Sequence, residues 1–515
     1  MGARGPLASR SSNAEKRKTL SKSKPLGYDK AMDTLVPSRK TAHWLNALVV
    51  LVGVLAATGL AWALLYQPEL ADQLIALSAI GFTLALIYFD PQIAFLVWLF
   101  LIPFAPFFRF DLHMPAGIPD LSYTRVVGSL LAVYLFAEVA LGRRKFLTPT
   151  FFELTLPFFL IPLVWSAARG YYGWLWGLQS VFDAFFIPLL AYFIARQLIT
   201  RPEDLPKMAK PLVAIALIIA LAVIVEQYTG FAPFRIGNTA RVYSGDIRKV
   251  GSFLGNPAYI GLALAVVAPL AIMLAIEGRT PREKIGFVLA LIIVEIGIFS
   301  TFNRSAILGG LVGPLVFSFL NRRLLKYVFP ILVILALLVG LGWNALENTS
   351  VRTRLGSTSP IDYRVEAMRV GLEIHKTAPY LGVGWGWFGR LAAERGFRDN
   401  GLVHVLPSPH NSYLNFLVSG GYALLGGYVL MILGLAMTLM AIGWPRRKTR
   451  RFFPLYIQMA LGILVAYFIP IAFFDNTFSS YANLIFFAVM GGVISATLGG
   501  GSYTDAATLQ PTLRS

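Results

Sequence analysis

The chain reads as an all-α polytopic membrane helical bundle of about 12–14 transmembrane helices with one large outer loop module, and three observations say so. Of 515 residues, 56% are hydrophobic and only 14% charged, with a mean hydropathy of +0.65, an apolar share larger than a soluble core uses. The apolar residues gather in runs that approach the length needed to cross ~30 Å of hydrocarbon. Lys and Arg collect in alternate connections, as they do in short cytoplasmic loops.

Residues 1–43 hold ten Lys or Arg against Glu15, Asp29 and Asp33 and have no apolar periodicity, so they read as a basic disordered cytoplasmic tail. Its charge suits anionic lipid headgroups, and no basic folded surface calls for nucleic acid. The transmembrane region expected over 44–343 offers runs near 44–66, 73–89, 92–108, 125–141, 151–167, 181–198, 210–225, 253–276, 285–301, 303–320 and 327–343. Three more follow over 413–499, near 413–442, 455–472 and 482–499, before a short cytoplasmic tail at 500–515. Pro91, Pro103 and Pro106 interrupt the early runs, which sets the lower bound of the count. The 44–66 run is followed by further helices and lacks the layout of a cleavable signal.

Basic connections at Arg143-Arg144-Lys145, Arg279 to Lys284, Arg322 to Lys326 and Arg446 to Arg451 fall on the side of the N-terminus. The intervening connections 109–124, 168–180 and 473–481 are poor in Lys and Arg and face outward. Two places break this bias. The outer connection 226–250 carries Arg235, Arg241, Arg248 and Lys249, and Arg304 sits at a tight outward turn between two apolar runs. The outer loop module, 344–412, is long enough to escape the bias.

No cysteine occurs, which removes disulfides, thiolate metal sites and a cysteine nucleophile. His43, His113, His375, His404 and His410 show no metal-ligand spacing, so no metal and no cofactor is expected. Inside the loop module Ile361, Val365, Met368 and Leu372 recur at helical spacing. Pro379-Tyr380-Leu381-Gly382-Val383-Gly384-Trp385-Gly386-Trp387-Phe388 then makes a turn, and Ser408-Pro409-His410-Asn411-Ser412-Tyr413 leads into the next membrane run.

Gly251-Ser252-Phe253-Leu254-Gly255-Asn256-Pro257, Thr301-Phe302-Asn303-Arg304-Ser305, the segment Pro379 to Phe388, and Pro409 to Tyr413 with Gly420-Gly421 beyond resemble, in order and spacing, the bacterial O-antigen ligase and O-antigen polymerase family. The resemblance spans roughly 210–440. It departs at Asn303, where a serine is common, and at Ala258, where an asparagine is frequent. It implies metal-independent glycosyl transfer at the outer, periplasmic face of the bacterial cytoplasmic membrane, through a fold similar to GT-C glycosyltransferases. The implied donor is a glycan on a polyprenyl (undecaprenyl) diphosphate, and the implied acceptor is a hydroxyl of a glycan, lipid or protein.

The residue types agree with that chemistry. A diphosphate leaving group needs its charge held as the glycosidic bond breaks, and guanidinium groups supply planar, permanent cations for phosphate oxygens. Arg241, Arg248 and Arg304 are the candidates, with Arg364 as a fourth. The helix start near Gly251 to Pro257 could add backbone N–H groups. The acceptor hydroxyl must lose a proton, and a neutral imidazole suits this near pH 7, so His410 is the candidate base and, with Arg304, the catalytic pair.

Each residue has a structural alternative. Arginines at helix ends snorkel to headgroups, a reading that fits Arg235 best and Arg304 least. His410 could cap a helix, His404 sits in a polar stretch, His375 reads as surface, and Arg364 could pair with Asp362 or Glu366. Glu295, inside a run, calls for a partner in the bundle; Asp475 reads as a solvated carboxylate. Tyr171, Tyr172, Trp174 and Trp176 fit an interfacial belt, while Trp385 and Trp387 could stack on sugars. The alternative class is a transporter or flippase for a polysaccharide or lipid-linked glycan. That class favours repeat symmetry and midplane charges, whereas the unusual charges here gather at one face. A passive scaffold is a third reading, which leaves Arg304 and His410 free to vary.

Overall fold

The computed structural model describes residues 68–108, 122–145, 147–232, 234, 243–244, 247–248, 250–326, 359–397, 409–444, 454–474 and 480–509. The expected runs 44–66 and 327–343, and Arg235, Arg241, His404 and Asp475, lie outside them. The chain forms two compact units, Met1–Ala71 and Asp72–Ser515. The first is almost wholly outside the described residues, and the second carries the fold.

That fold is helical apart from a two-strand ribbon. Its elements are α1 Pro68–Phe89, α2 Pro91–Leu101 with a 3-10 turn Ile102–Phe108, α3 Tyr123–Ala140, α4 Phe151–Ala168, α5 Trp174–Val181, α6 Ile187–Leu198 and α7 Asp204–Thr229. The ribbon β1 Tyr243–Ser244 and β2 Ile247–Arg248 follows, then α8 Pro257–Glu277, α9 Pro281–Ser300 and α10 Arg304–Leu320. The loop module supplies α11 Ser359–His375 and α12 Trp387–Glu394. The chain continues with α13 Ser412–Gly443, α14 Leu455–Ala466, α15 Ala472–Phe474 and α16 Ser480–Leu509.

Among the described residues seven helices are long and apolar enough to span a membrane: α3, α4, the continuous α5–α6 pair, α7, α8, α13 and α16 over Ser480–Gly499. Four shorter apolar helices join them, in α1, α2, α10 and α14. This is a polytopic helical membrane protein, and among the described residues some apolar runs form helices shorter than a full span. Proline is one reason. The 92–108 run yields only an 11-residue α2, because Pro103 and Pro106 lack the N–H that an α-helix needs and the chain tightens into a 3-10 turn. The last helix instead overruns its expected end at 499, continuing to Leu509.

Burial sorts the helices into layers. In α8 and α16, 83% of the spanning window is buried, against 28% in α3 and 33% in α4. A helix apolar on every side is an interior helix, so α8 and α16 form the centre. The peripheral helices turn Phe136, Phe158 and Ile161 outward, where lipid replaces protein. Close approach uses small residues: a Cβ on Gly427 of α13 would lie 2.0 Å from the Phe158 carbonyl of α4. At the other end of α4 a buried charge is matched, with Glu153 accepting from Arg196, Tyr192 and Thr150. Arg196 is 2% exposed, so removing either charge would strand the other.

The loop module is spliced into a break in α13. Gly421 takes φ 63, ψ −160, which a side chain would resist, and the helical bonds from residues 422 and 423 to 418 and 419 are lost. The turn after α11 replaces both. Val383 and Gly384 donate N–H to the carbonyls of Val418 and Ser419 at 3.0 and 2.9 Å, while Tyr422 and Ala423 donate to those of Pro379 and Tyr380 at 2.8 and 3.1 Å. These four backbone groups are thereby satisfied, as a non-helical stretch of a membrane helix requires. The module also has its own small core, in which Ala367, Val370 and Ile374 of α11 meet Phe388 and Ala392 of α12 and Leu414 and Val418 of α13.

Candidate active site

Three helices, α8, α10 and α13, begin with the same device. Asn256, Asn303 and Asn411 are their N-caps, accepting through the side chain from the N–H of Ala258, Ala306 and Leu414 respectively, each at 2.9 Å. An asparagine cap satisfies a helix N–H that would otherwise be orphaned. The departure at Asn303 therefore keeps a competent cap.

Just before these caps the backbone is strained. Among the described residues the non-glycine residues with positive φ are Phe253 (62°), Phe302 (49°) and His410 (44°), one in each of the three motif segments. Bulky side chains rarely adopt this conformation, and such strain concentrates at functional sites. Two of the three are held by distant rings and one by a local bond. Phe253 is fully buried, stacked on Phe234 at 4.4 Å and edge-on to Phe104 at 5.3 Å. Phe302 donates its N–H to Phe299 O at 2.9 Å. The His410 ring stands edge-on to Tyr363 of α11, centroids 5.7 Å apart.

Arg304 is the first helical residue of α10, half-buried, with Ser305 donating its hydroxyl to Asn303 Oδ1 at 2.5 Å. The turn before it is tight because α8 presents Gly261, where a Cβ would lie 2.3 Å from that of Ala306. The helices that begin at Arg304 and just after His410 both touch one π-helical turn, Tyr467–Ile471. Tyr413 OH donates to Phe468 O at 2.5 Å. Ile471 in turn fills the surface of α10 at Gly309, where a Cβ would meet its side chain at 2.4 Å. The π turn frees the Phe468 carbonyl, because the N–H of Ala472 turns to Tyr467 O instead. A second π turn, Phe182–Phe186, is tied to the first: Asn483 donates to Ala184 O at 2.7 Å and accepts from Tyr467 OH. Ala184 O is available because Pro188, four residues on, has no N–H. Irregular turns of this kind often mark functional positions.

The other expected residues divide. Arg364 sits half-buried on α11, next in sequence to Tyr363. Arg248 is described through its backbone, whose Cα pairs with Tyr243 in the ribbon. His375 is not on the surface, being 6% exposed against Tyr422. Trp385 is not a free stacking platform either: it is buried between Phe185 and Phe416, and its Nε1 donates to Ser180 Oγ at 3.2 Å. Trp387 is half-buried, edge-on to Tyr171, with Nε1 donating to Arg169 O. Glu295 faces α10 at Gly310. The four residues Ile361, Val365, Met368 and Leu372 do not form the α11 core face; they are exposed. Glu366 is paired with Arg369, not Arg364, and the Arg369 hydrogen bonds hold its carboxyl below the ordinary range.

One residue the sequence left unremarked organises the site. Glu226, 1% exposed near the end of α7, accepts from Gly251 N at 3.1 Å, Ser252 N at 2.9 Å and Ser252 Oγ at 2.5 Å. Two of the backbone N–H groups expected to greet a phosphate near Gly251, those of Gly251 and Ser252, are thus already taken by an internal carboxyl group. Glu226→Ala should orphan these buried donors at about 1–3 kcal/mol each. A thermal melt in detergent, with limited proteolysis of the 230–256 connection, measures it; an unchanged melt and cleavage pattern would mean that water replaces the carboxylate without loss.

Among the described residues, no three or more His, Asp or Glu side chains gather as a metal-binding group. Residues 285–429 match the family model described as O-antigen ligase. That stretch runs from α9 into α13 and contains Arg304, Arg364 and His410 but neither Glu226 nor Arg248. No curated protein matches the chain.

Proposed function

We propose that this chain, an enzyme whose residues 285–429 carry the match to the O-antigen ligase family, transfers a glycan from a polyprenyl diphosphate to an acceptor hydroxyl at the outer face of the cytoplasmic membrane. The family match supports glycosyl transfer in the assembly of O-antigen or related polysaccharide. The donor, the face and the residue roles are the present reading, and one observation carries it. Phe302 and His410, left-handed residues directly before the capped starts of α10 and α13, set an arginine and a histidine at the beginnings of two helices that both pack on the 467–471 turn, through Gly309 and Tyr413.

In this reading Arg304, with Arg241, Arg248 and Arg364, binds the diphosphate. The bond between the sugar's anomeric carbon and the phosphate oxygen breaks, its electron pair leaving on the diphosphate. Guanidinium groups stabilise that charge and replace a divalent metal. The acceptor oxygen forms the new bond to the anomeric carbon, and its proton passes to a ring nitrogen of His410. Release of polyprenyl diphosphate is therefore stoichiometric with transfer.

The test is turnover of a polyprenyl diphosphate-linked oligosaccharide by the purified full chain in detergent with excess chelator. Release of free polyprenyl diphosphate with a single transfer identifies a metal-independent ligase, and a ladder of product lengths a polymerase. Activity that needs added divalent cation overturns the role given to the arginines. Donor binding without release moves the assignment to transport.

A further inference from the structure

Helix α11 has two apolar faces, and its partners use only one. Tyr363, Ala367, Val370 and Ile374 pack into the module core. The second stripe, Ile361, Val365, Met368 and Leu372, stays 52%, 65%, 39% and 43% exposed. At 3.6 residues per turn its members fall within about 60° of one another. A contiguous exposed strip of large aliphatic side chains marks a surface that something covers.

Its neighbours indicate what. On one border stands a charged face, where Arg369 bonds Glu366 and Glu373 at 2.6 and 2.7 Å, all three exposed to at least 45%. The other direction leads to α13. Helix α11 passes α13 where Gly371 meets Leu414, and ends with His375 edge-on to Tyr422 at 4.7 Å. Those contacts are eight residues apart on α13, one on each side of its break at Gly421, so α11 runs beside it. Tyr422 and Tyr380 are 57% and 75% exposed at the junction, the position that tyrosines favour at a membrane–water interface. Beyond them the exposed residues of α13, such as Leu430, Leu433 and Met437, belong to a spanning helix. The stripe is thus continuous with a surface that lipid covers. Four half-exposed aliphatic side chains also fall well short of the ~800 Å² a side used by a stable protein interface.

We propose that the exposed stripe of α11 lies in the lipid leaflet on the module's side of the bilayer, anchoring the module as an interfacial amphipathic helix with its Glu366–Arg369–Glu373 face in water. The anchor sets the depth of Tyr363, and through it of His410. If the transfer reaction proposed above holds, that depth is the headgroup layer where a lipid diphosphate lies. The anchor itself does not depend on that reading.

The chain has no cysteine, so single substitutions give single labels. Nitroxide spin labels at Val365→Cys, Met368→Cys and Leu372→Cys, in the full chain in phosphatidylcholine nanodiscs, are compared with labels at Asp362→Cys and Glu373→Cys. Collisional accessibility is read with oxygen, which partitions into lipid, and a neutral nickel chelate, which stays in water. The oxygen-to-nickel ratio is expected to be several-fold higher at the three stripe positions than at the two polar ones. Equal ratios overturn the proposal and place the stripe in water. Low accessibility to both reagents also overturns it, in favour of burial against protein such as a second copy of the chain.

Discussion

Replacing Arg304 by alanine is expected to lower kcat/KM for glycan transfer about 100- to 1,000-fold while leaving the protein folded and inserted. The structural half of that expectation comes from where the residue sits. As the first residue of α10, its cation opposes the helix dipole, an arrangement that costs ~0.3–1 kcal/mol at an exposed end. Alanine removes that opposition, and the Asn303 cap and the packing of Ala306 on Gly261 remain in place. The chemical half rests on charge: a guanidinium that meets a departing diphosphate contributes most when the bond is breaking. Donor affinity should fall as well, since the ground-state diphosphate is already charged. Arg304→Lys should recover little, because an ammonium cannot make the paired planar contact to phosphate oxygens. Steady-state kinetics against donor concentration, with a melting curve for each variant, decide this. A fully active, equally stable Arg304→Ala enzyme would remove Arg304 from the mechanism and return it to the role of a helix-end arginine.

The outcome for α11 shows how far a sequence carries such arguments. Its pattern at 361, 365, 368 and 372 has the helical period, and the helix is there. Periodicity, however, does not say which of two stripes faces the core. The face that does, Tyr363, Ala367, Val370 and Ile374, looks less apolar because alanine and tyrosine are weak signals, yet small and planar groups are what a close helix crossing admits. Glu226 was hidden for a related reason. A single carboxylate near a helix end looks solvated, and the N–H groups it binds lie 25 residues further on. By contrast, the three turn motifs were legible through the family resemblance, and the structure adds that each carries an asparagine cap. Their left-handed neighbours were not, because Phe253, Phe302 and His410 are residues that avoid this conformation unless tertiary contacts impose it. The spliced break at Gly421 has a similar split: the paired glycines hint at a kink, whereas the replacement hydrogen bonds come from the loop forty residues upstream. Hydropathy located most helices, and the proline-bearing 3-10 turn accounts for where it overestimated the length of α2.

The second large effect is expected at His410, and the choice of substitution matters more than the loss. The residue has φ 44 and directly precedes the Asn411 cap, so alanine changes both the chemistry and the turn. Asparagine separates them. It tolerates the left-handed region nearly as well as any non-glycine residue, so His410→Asn keeps the backbone that places Asn411, Ser412 and the Tyr413 anchor on Phe468. What it removes is a side chain able to accept a proton near neutral pH. If His410 is the base, His410→Asn and His410→Ala should both lose about 100- to 10,000-fold in kcat, with the KM for the lipid-linked donor little changed, because the imidazole acts on the acceptor. If the histidine serves only the turn, His410→Asn should retain turnover and His410→Ala should not. The pair of variants thus tells a base from a strained hinge, a distinction that a single alanine substitution would leave confounded. The same measurement bears on Tyr363, whose ring lies edge-on to the imidazole: a base must keep a ring nitrogen turned to the acceptor, and an aromatic wall on one side restricts the ring plane.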